Sequence, residues 1–306
     1  MAGESVTKTS PGVLGRWGLV ILILLAFALR VFDLGEQELW FDEALSANIS
    51  TLGWPGTVAH LQNQPFEHPP LYFLALSPWL TLAGTSELVL RFFSLFWGVL
   101  FIPLFYILVK RLADERLAFL SALLAAISPF MVAYSQEARM YTLLPFLAVL
   151  LLLCLHNTLK QDGHPGWLLA YMVLLVLGVA TNYFFALIWV ATSVFLLFEW
   201  RHRPKMWKWA LAVQVFVLLV GVGWMLAAPG VRSSLIRVLQ GEAIFSLEYK
   251  LSKVIPSLMV AESPSGRVPW AARIVAIGGW VLVLIGAWEA RGGRILELQV
   301  WRMLLA

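Results

Sequence analysis

The chain has 306 residues, 60% of them hydrophobic and only 13% charged, with a mean hydropathy of +0.80. Soluble domains run at roughly 45–50% apolar and about 25% charged residues, so a water-facing globule is excluded and the chain reads as a membrane protein. Its formal net charge of +4 does not require a nucleic-acid partner, because membrane topology accounts for the basic excess.

A helix needs about 20 mostly apolar residues to cross the hydrocarbon. The stretches 14–34, 92–109, 117–134, 141–159, 167–181, 184–200, 209–228 and 270–288 meet that need, so about eight crossings are expected. The apolar stretch 69–83 is shorter, is broken by Pro78 and runs into Gly84-Thr85-Ser86-Glu87, which predicts a partial or surface helix. The first apolar run ends in Ala26-Phe27-Ala28, similar to a signal-peptide cleavage site. The polytopic remainder favours a retained first helix.

Basic residues collect on the cytoplasmic side of a membrane protein. Lys8, Arg16, Lys110, Arg111, Arg116, Lys160, the run from Arg201 to Lys208, and Arg291, Arg294 and Arg302 all fall on one side under this topology. Both termini are therefore expected in the cytoplasm. The single cysteine, Cys154, lies within an apolar run, so the chain has no intrachain disulfide and no cysteine-based metal site.

Two outer segments carry the polar chemistry. The first, from Asp33 to Arg91, holds Asp33, Glu36, Glu38, Asp42, Glu43, Glu67 and Glu87, seven of the chain's 18 acids. Connections beyond about 12–15 residues are usually functional or disordered, and this one is too rich in aromatics and aliphatics for disorder. Leu45, Ile49 and Leu52 recur at helical spacing beside Trp40, Phe41 and Trp54, which predicts short helices lying at the outer interface.

Within that segment, Trp40-Phe41-Asp42-Glu43 sets two adjacent carboxylates after two large aromatics. Beside a low-dielectric surface the pair resists double ionisation, and desolvation raises one pKa toward the range of a base. Alternatively, Asp42 caps a short helix whose first turn holds Glu43. Further on, His68 precedes Pro69-Pro70, where proline suits the first turn of a helix. The imidazole then stands at a helix N-terminus, either facing an anion or doing nothing chemical.

The second segment, Tyr134-Ser135-Gln136-Glu137-Ala138-Arg139-Met140-Tyr141, puts a carboxylate, a guanidinium and two phenols between apolar walls. Charges at such a position are functional candidates, against the plainer alternatives of a structural Glu137–Arg139 pair or an interfacial tyrosine belt. A longer outer loop, 229–268, carries Arg232, Arg237, Lys250 and Lys253, which suit lipid phosphates, a phosphorylated substrate or a merely solvated face. No phosphate-binding glycine loop, HExxH pair or internal repeat is present.

In order, Trp40-Phe41-Asp42-Glu43-Ala44, His68-Pro69-Pro70-Leu71-Tyr72-Phe73, Gly84-Thr85-Ser86-Glu87 with Arg91, and Ser128-Pro129-Phe130 running into the strip 134–141 resemble the GT-C membrane glycosyltransferases. The likeness is to the protein O-mannosyltransferase and aminoarabinose-transferase group (glycosyltransferase family 39 type), and it covers residues 30–200, taken as the catalytic core of a single transmembrane domain, 1–306. It implies an all-α, polytopic transmembrane helix bundle of GT-C type with interfacial helices in the first outer loop.

The resemblance also implies a chemistry. Asp42 would be the general base, supported by Glu43. His68, Arg91, Tyr134, Gln136, Glu137, Arg139 and Tyr141 would bind substrate, with Arg139, Arg91 or His68 as cations for the departing phosphate. The donor would be a polyprenyl-phosphate sugar, hexose or mannose-like. The acceptor would be a hydroxyl or amine of a protein, lipid or glycan at the outer face of the cell membrane, and the reaction would invert the anomeric centre. A divalent cation, Mg²⁺ or Mn²⁺, on the acidic pair is an open alternative. Relatives often show a His-Tyr pair where this chain has Asn182-Tyr183, and they continue past its end, so a truncated or short form is expected. A lipid-linked sugar transporter would instead need charges at the bilayer midplane, and a non-catalytic subunit would bind donor without turnover.

Overall fold

The computed structural model describes residues 13–64, 67–160, 164–199 and 204–239. The expected eighth crossing at 270–288, the outer loop beyond 239, the tail 289–306 and Lys8 lie outside the described residues. Among the described residues every regular element is a helix: α1 (Val13–Val31), α2 (Phe41–Thr51), α3 (Gly53–Asn63), α4 (Leu71–Ala83), α5 (Glu87–Leu112), α6 (Glu115–Ile127), α7 (Pro129–Ser135), α8 (Leu143–Lys160), α9 (Pro165–Thr181), α10 (Phe185–Glu199), α11 (Pro204–Ala227) and α12 (Pro229–Leu239).

Each of the first seven expected crossings coincides with helix. By length and apolarity α5, α8 and the Lys208–Ala227 part of α11 can span a bilayer, and α6 with α7 passes as a bent pair. Trp17–Val31, Pro165–Thr181 and Phe185–Glu199 are shorter apolar helices, as is Leu71–Ala83, the partial helix expected at 69–83.

Local chemistry sets the breaks. The Gly84-Thr85-Ser86-Glu87 motif is a stop followed by a start. Gly84 closes α4 at φ 97° and donates its amide to the Leu80 carbonyl, a backbone state glycine tolerates at no steric cost. Ser86 Oγ then accepts from Val89 N at 3.4 Å to cap α5, with Glu87 in the positive first turn.

The stretch 117–134, expected as one straight crossing, bends by 55° between α6 and α7. Pro129 has no N–H to give back to the preceding turn, and Ser128 Oγ caps the new helix by accepting from Met131 N. The carbonyls of Ala125 and Ala126, which the break leaves without helical partners, are taken by a residue from another helix. Arg30 of α1, fully buried, donates to Ala126 O at 2.9 Å and Ala125 O at 3.3 Å, and also to Ala26 O and Ser135 Oγ.

Packing runs through two apolar clusters. One gathers α2, α3, α4, α5 and α8 to α11 around Tyr72, Phe73, Leu76, Leu147 and Tyr171; the other joins α1, α5, α6 and α8 around Leu22, Ala26, Ile102 and Ala122. Ala26, within the cleavage-like triplet, is completely buried in the second cluster, so α1 packs as an integral bundle member. Along α5 the 20 residues from Arg91 to Lys110 span about 29 Å from first to last, close to the thickness of a hydrocarbon core. At the Lys110 end, basic side chains gather: Lys110 pairs with Glu115 at 3.1 Å and Arg111 donates to Asn157 Oδ1 at 2.7 Å. At the Arg91 end lie the residues singled out by the sequence.

Candidate functional site

Glu43 organises this end of the molecule. Trp40, in extended backbone, precedes α2, and the Glu43 carboxylate reaches back to accept from Trp40 N at 3.3 Å, the glutamate half of a capping box. Asp42 therefore sits inside the first turn instead of capping it, and the alternative role weighed for it is not the one it plays. Glu43 is completely buried; its Oε1 also accepts from Arg91 Nε at 2.9 Å and from Ala138 N at 2.8 Å, and its Oε2 from Arg91 Nη2 at 2.8 Å. One carboxylate thus ties the first outer segment to α5 and to the second outer segment.

Arg91 has nothing left for a substrate. Beyond its two-point bond to Glu43 it donates to Leu34 O at 3.1 Å, Gln37 O at 2.8 Å and Glu38 O at 3.1 Å. These bonds use all five N–H groups of a guanidinium. Its expected contact with the leaving phosphate is replaced by a holding role.

Asp42 differs from its neighbour. Its side chain keeps 33% of its surface open, and Oδ2 stands 3.9 Å from Arg139 Nη2, within ion-pair range but beyond a hydrogen bond. Arg139 is fixed by its Nη1, which donates to Ser46 Oγ at 3.1 Å and Asp42 O at 3.3 Å; Ser94 Oγ holds the Arg139 carbonyl at 2.9 Å. The Arg139 Nε is buried with no hydrogen-bond partner among the described residues. Arg139 is therefore the cation of this cluster with donors to spare.

Glu137 is 8% exposed, and its Oε2 is buried without a hydrogen-bond partner among the described residues. Burial pushes its carboxyl up to about 7, with Glu43 adding to the rise and Arg139 opposing it. Glu137 is thus a carboxyl in the range of a base or acid near neutral pH. His68, just ahead of α4, has its imidazole lowered to about 4 by burial, with Arg139 pushing the same way and Asp42 against. At neutral pH the ring is uncharged, not the ready-made cation expected; a neutral ring can still hydrogen-bond.

Gln136 turns away from the cluster and donates to Phe32 O at 2.8 Å and Arg30 O at 3.3 Å, which pins the end of α1. Tyr134 and Tyr141 meet edge to face at 4.8 Å, Phe130 lies 4.6 Å from Tyr134, and Arg139 stands 6.0 Å from the Tyr141 ring. They form an aromatic wall beside the charges. Asn182 starts α10 by accepting from Phe184 N through Oδ1 at 2.9 Å, a turn residue in this structure.

Sequence reasoning missed Arg30, Ser46, Ser94 and Tyr72. Arg30 carried the clearest signal, a charge inside an apolar helix. Ser94 is anchored by Tyr72 Oη at 3.1 Å; a hydroxyl inside a crossing gives no such warning. Among the described residues no three His, Cys, Asp or Glu side chains converge on a cation position. With Glu43 spent on Arg91 and two amides, the acidic pair does not present both carboxylates to Mg²⁺ or Mn²⁺.

Residues 67–224, just over half the chain, match the sequence profile of dolichyl-phosphate-mannose-protein mannosyltransferases. The chain belongs to that family. The match includes His68, Arg91 and the strip 134–141 and begins after the acidic pair. No curated protein matches the sequence at a significant level.

The fold of this family member is that of the GT-C membrane glycosyltransferases. It is similar to the protein O-mannosyltransferase Pmt1-Pmt2 complex of S. cerevisiae bound to the sugar donor (TM-score 0.53, 16% identity, 72% of this chain and 34% of that one). ArnT from Cupriavidus metallidurans bound to undecaprenyl phosphate aligns at TM-score 0.55 and 20% identity over 89% of this chain and 55% of that one. The archaeal oligosaccharyltransferase AglB from Archaeoglobus fulgidus, in complex with an inhibitory peptide and a dolichol-phosphate, aligns at 0.51 and 18% over 90% and 37%. At these identities the likeness establishes the fold alone. The chain spans between about a third and just over half of the length of these proteins. It is a multi-pass membrane protein.

Proposed function

We propose that this chain carries the reaction centre of an inverting glycosyltransferase, which moves a sugar from a polyprenyl-phosphate donor to an acceptor hydroxyl or amine at the outer face of the cell membrane. The observation that carries this assignment is the division of labour among three carboxyls at one end of the bundle. Glu43 is spent on structure and Glu137 is buried, while Asp42 alone stays partly open with a cation beside it.

Asp42 accepts the acceptor's proton as the nucleophile attacks the anomeric carbon from the face opposite the phosphate. The phosphate departs with the bonding pair, its growing charge set against Arg139, whose spare donors suit that load. A phosphate leaving group needs no general acid, so the two-carboxylate arrangement of glycoside hydrolysis is not required. The cluster lies about one bilayer thickness along α5 from the basic patch at Lys110 and Arg111. Under the positive-inside bias this spacing supports a reaction centre on the extracytoplasmic side, where a lipid-linked sugar is the available donor. The charges gather at the bundle end and not at its midplane, which favours transfer over transport.

The test is transfer from a labelled undecaprenyl-phosphate hexose in membranes containing the protein, wild type against Asp42→Asn. Loss of a positioned general base is expected to lower the rate about 10²–10⁴-fold. An undiminished rate in Asp42→Asn overturns the base assignment. Mass spectrometry of outer-face glycans with and without the gene identifies the sugar and the acceptor.

A further inference from the structure

Five carboxyl and guanidinium groups from three parts of the chain meet around the candidate site. Asp42 and Glu43 come from α2, Arg91 from α5, and Glu137 and Arg139 from the second outer segment. Asp42 and Glu43 already balance Arg91 and Arg139 in charge. Glu137 is the surplus, and it is more than nine-tenths buried with Oε2 that no donor reaches among the described residues. A carboxylate in that position would leave a buried charged oxygen without a hydrogen bond, a costly arrangement. A carboxylic acid in the same place lacks that charge and offers an O–H.

We propose that Glu137 works as an uncharged carboxylic acid in the donor site, keeping the cluster neutral so that an anionic lipid phosphate can settle against Arg139. Ionisation of Glu137 then turns donor binding off. This rests on the assignment of a polyprenyl-phosphate donor made above and adds to it the charge state the site must hold.

The groups facing Glu137 fit this role. From α2, Glu43 and, more weakly, Asp42 oppose its ionisation; Arg139 on its own segment and Arg91 from α5 favour it; burial outweighs both cations and holds the carboxyl near neutrality, at about 7. Tyr134 of α7 feels the Glu137 charge in turn. His68, ahead of α4 and beside Arg139 and Asp42, has its proton loss near 4, so it does not change state between pH 6 and 8. No covalent step is involved: one proton leaves Glu137 for solvent, and one negative charge appears where the phosphate must sit.

The experiment is equilibrium binding of methyl undecaprenyl phosphate to the purified protein in detergent micelles between pH 6 and 8. This diester keeps a single negative charge throughout that range, so any pH dependence belongs to the protein. If only the protonated form binds, a group titrating near 7 weakens wild-type affinity about tenfold from pH 6 to pH 8. Glu137→Gln, a neutral amide of nearly the same shape, is expected to bind at pH 8 as the wild type does at pH 6 and to show a flat profile. Glu137→Asp, which keeps a titratable acid, retains the alkaline loss and serves as the second variant should the amide fold poorly.

A wild-type affinity that is constant from pH 6 to 8 overturns the role of Glu137 while leaving the donor assignment intact. So does a Glu137→Gln profile that still falls tenfold. Absence of binding by wild type at every pH overturns the donor assignment and this inference with it.

Discussion

Arg91 is the most informative residue to change, because its five donors hold three backbone carbonyls and one carboxylate in place. Arg91→Met keeps the length and apolar stem of the side chain but abandons Glu43 and the carbonyls of Leu34, Gln37 and Glu38 together. Removing one partner of a buried ion pair costs about 3–5 kcal/mol. At 2–4 °C per kcal/mol for a chain of this size, Arg91→Met is expected to unfold on the order of 10 °C below wild type. Arg91→Lys retains the charge but brings three N–H groups in place of five. At least two of the five charge-assisted hydrogen bonds are then lost, for a loss of about 3 kcal/mol.

The protein carries its own reporter for this measurement. Cys154 is the single cysteine and is buried, so a thiol-reactive fluorogenic dye reads unfolding directly as the detergent-solubilised protein is heated. Adding Glu43→Gln to Arg91→Met removes the stranded carboxylate, and the double variant should be more stable than the sum of the two single losses predicts. The reasoning is refuted if Arg91→Lys melts within a degree of wild type, or if the two single losses add in full.

Two further outcomes use the same reporter. Arg30→Met strips the donors from Ala125 O and Ala126 O at the α6–α7 break and from Ser135, and should cost about 3 kcal/mol or more; an unchanged melting temperature would mean that the bend does not depend on Arg30. The second concerns acid. The His68 imidazole is lowered to about 4 in the fold by burial first and Arg139 second, so between pH 6.5 and 4 the unfolded chain binds a proton that the native chain refuses. Stability present above pH 6.5 is therefore lost as the pH falls toward 4. His68→Gln should lessen that acid loss, and a His68→Gln curve that runs parallel to wild type from pH 7 to 4 would show that His68 is not its source.

Hydropathy located the long apolar helices of this protein, because a segment that must replace its water contacts with lipid or other helices announces itself through about twenty consecutive residues. By contrast, α2 was legible only in the spacing of Leu45, Ile49 and Leu52, and α12 lies where an outer loop was expected. The first seven expected crossings and the short helix after Pro70 lie where the composition put them. The ordered polar motifs likewise drew Asp42, Glu43, His68, Arg91, Glu137 and Arg139 into one expected site, and the fold places them at one end of the bundle. What the linear order could not assign was the task of each charge. Asp42 and Glu43 are neighbours in the chain, yet one turn of helix aims Glu43 inward at Arg91 and Ala138 N and leaves Asp42 partly open beside Arg139. Only the three-dimensional count of donors separates a spent guanidinium, Arg91, from one with bonds still to make, Arg139. The same holds for Glu137, whose raised pKa comes from burial among groups of α2 and α5, and for Arg30, whose partners lie about a hundred residues away. Periodicity is a property of local sequence, whereas desolvation and hydrogen-bond partnership depend on which distant segments the packing brings together.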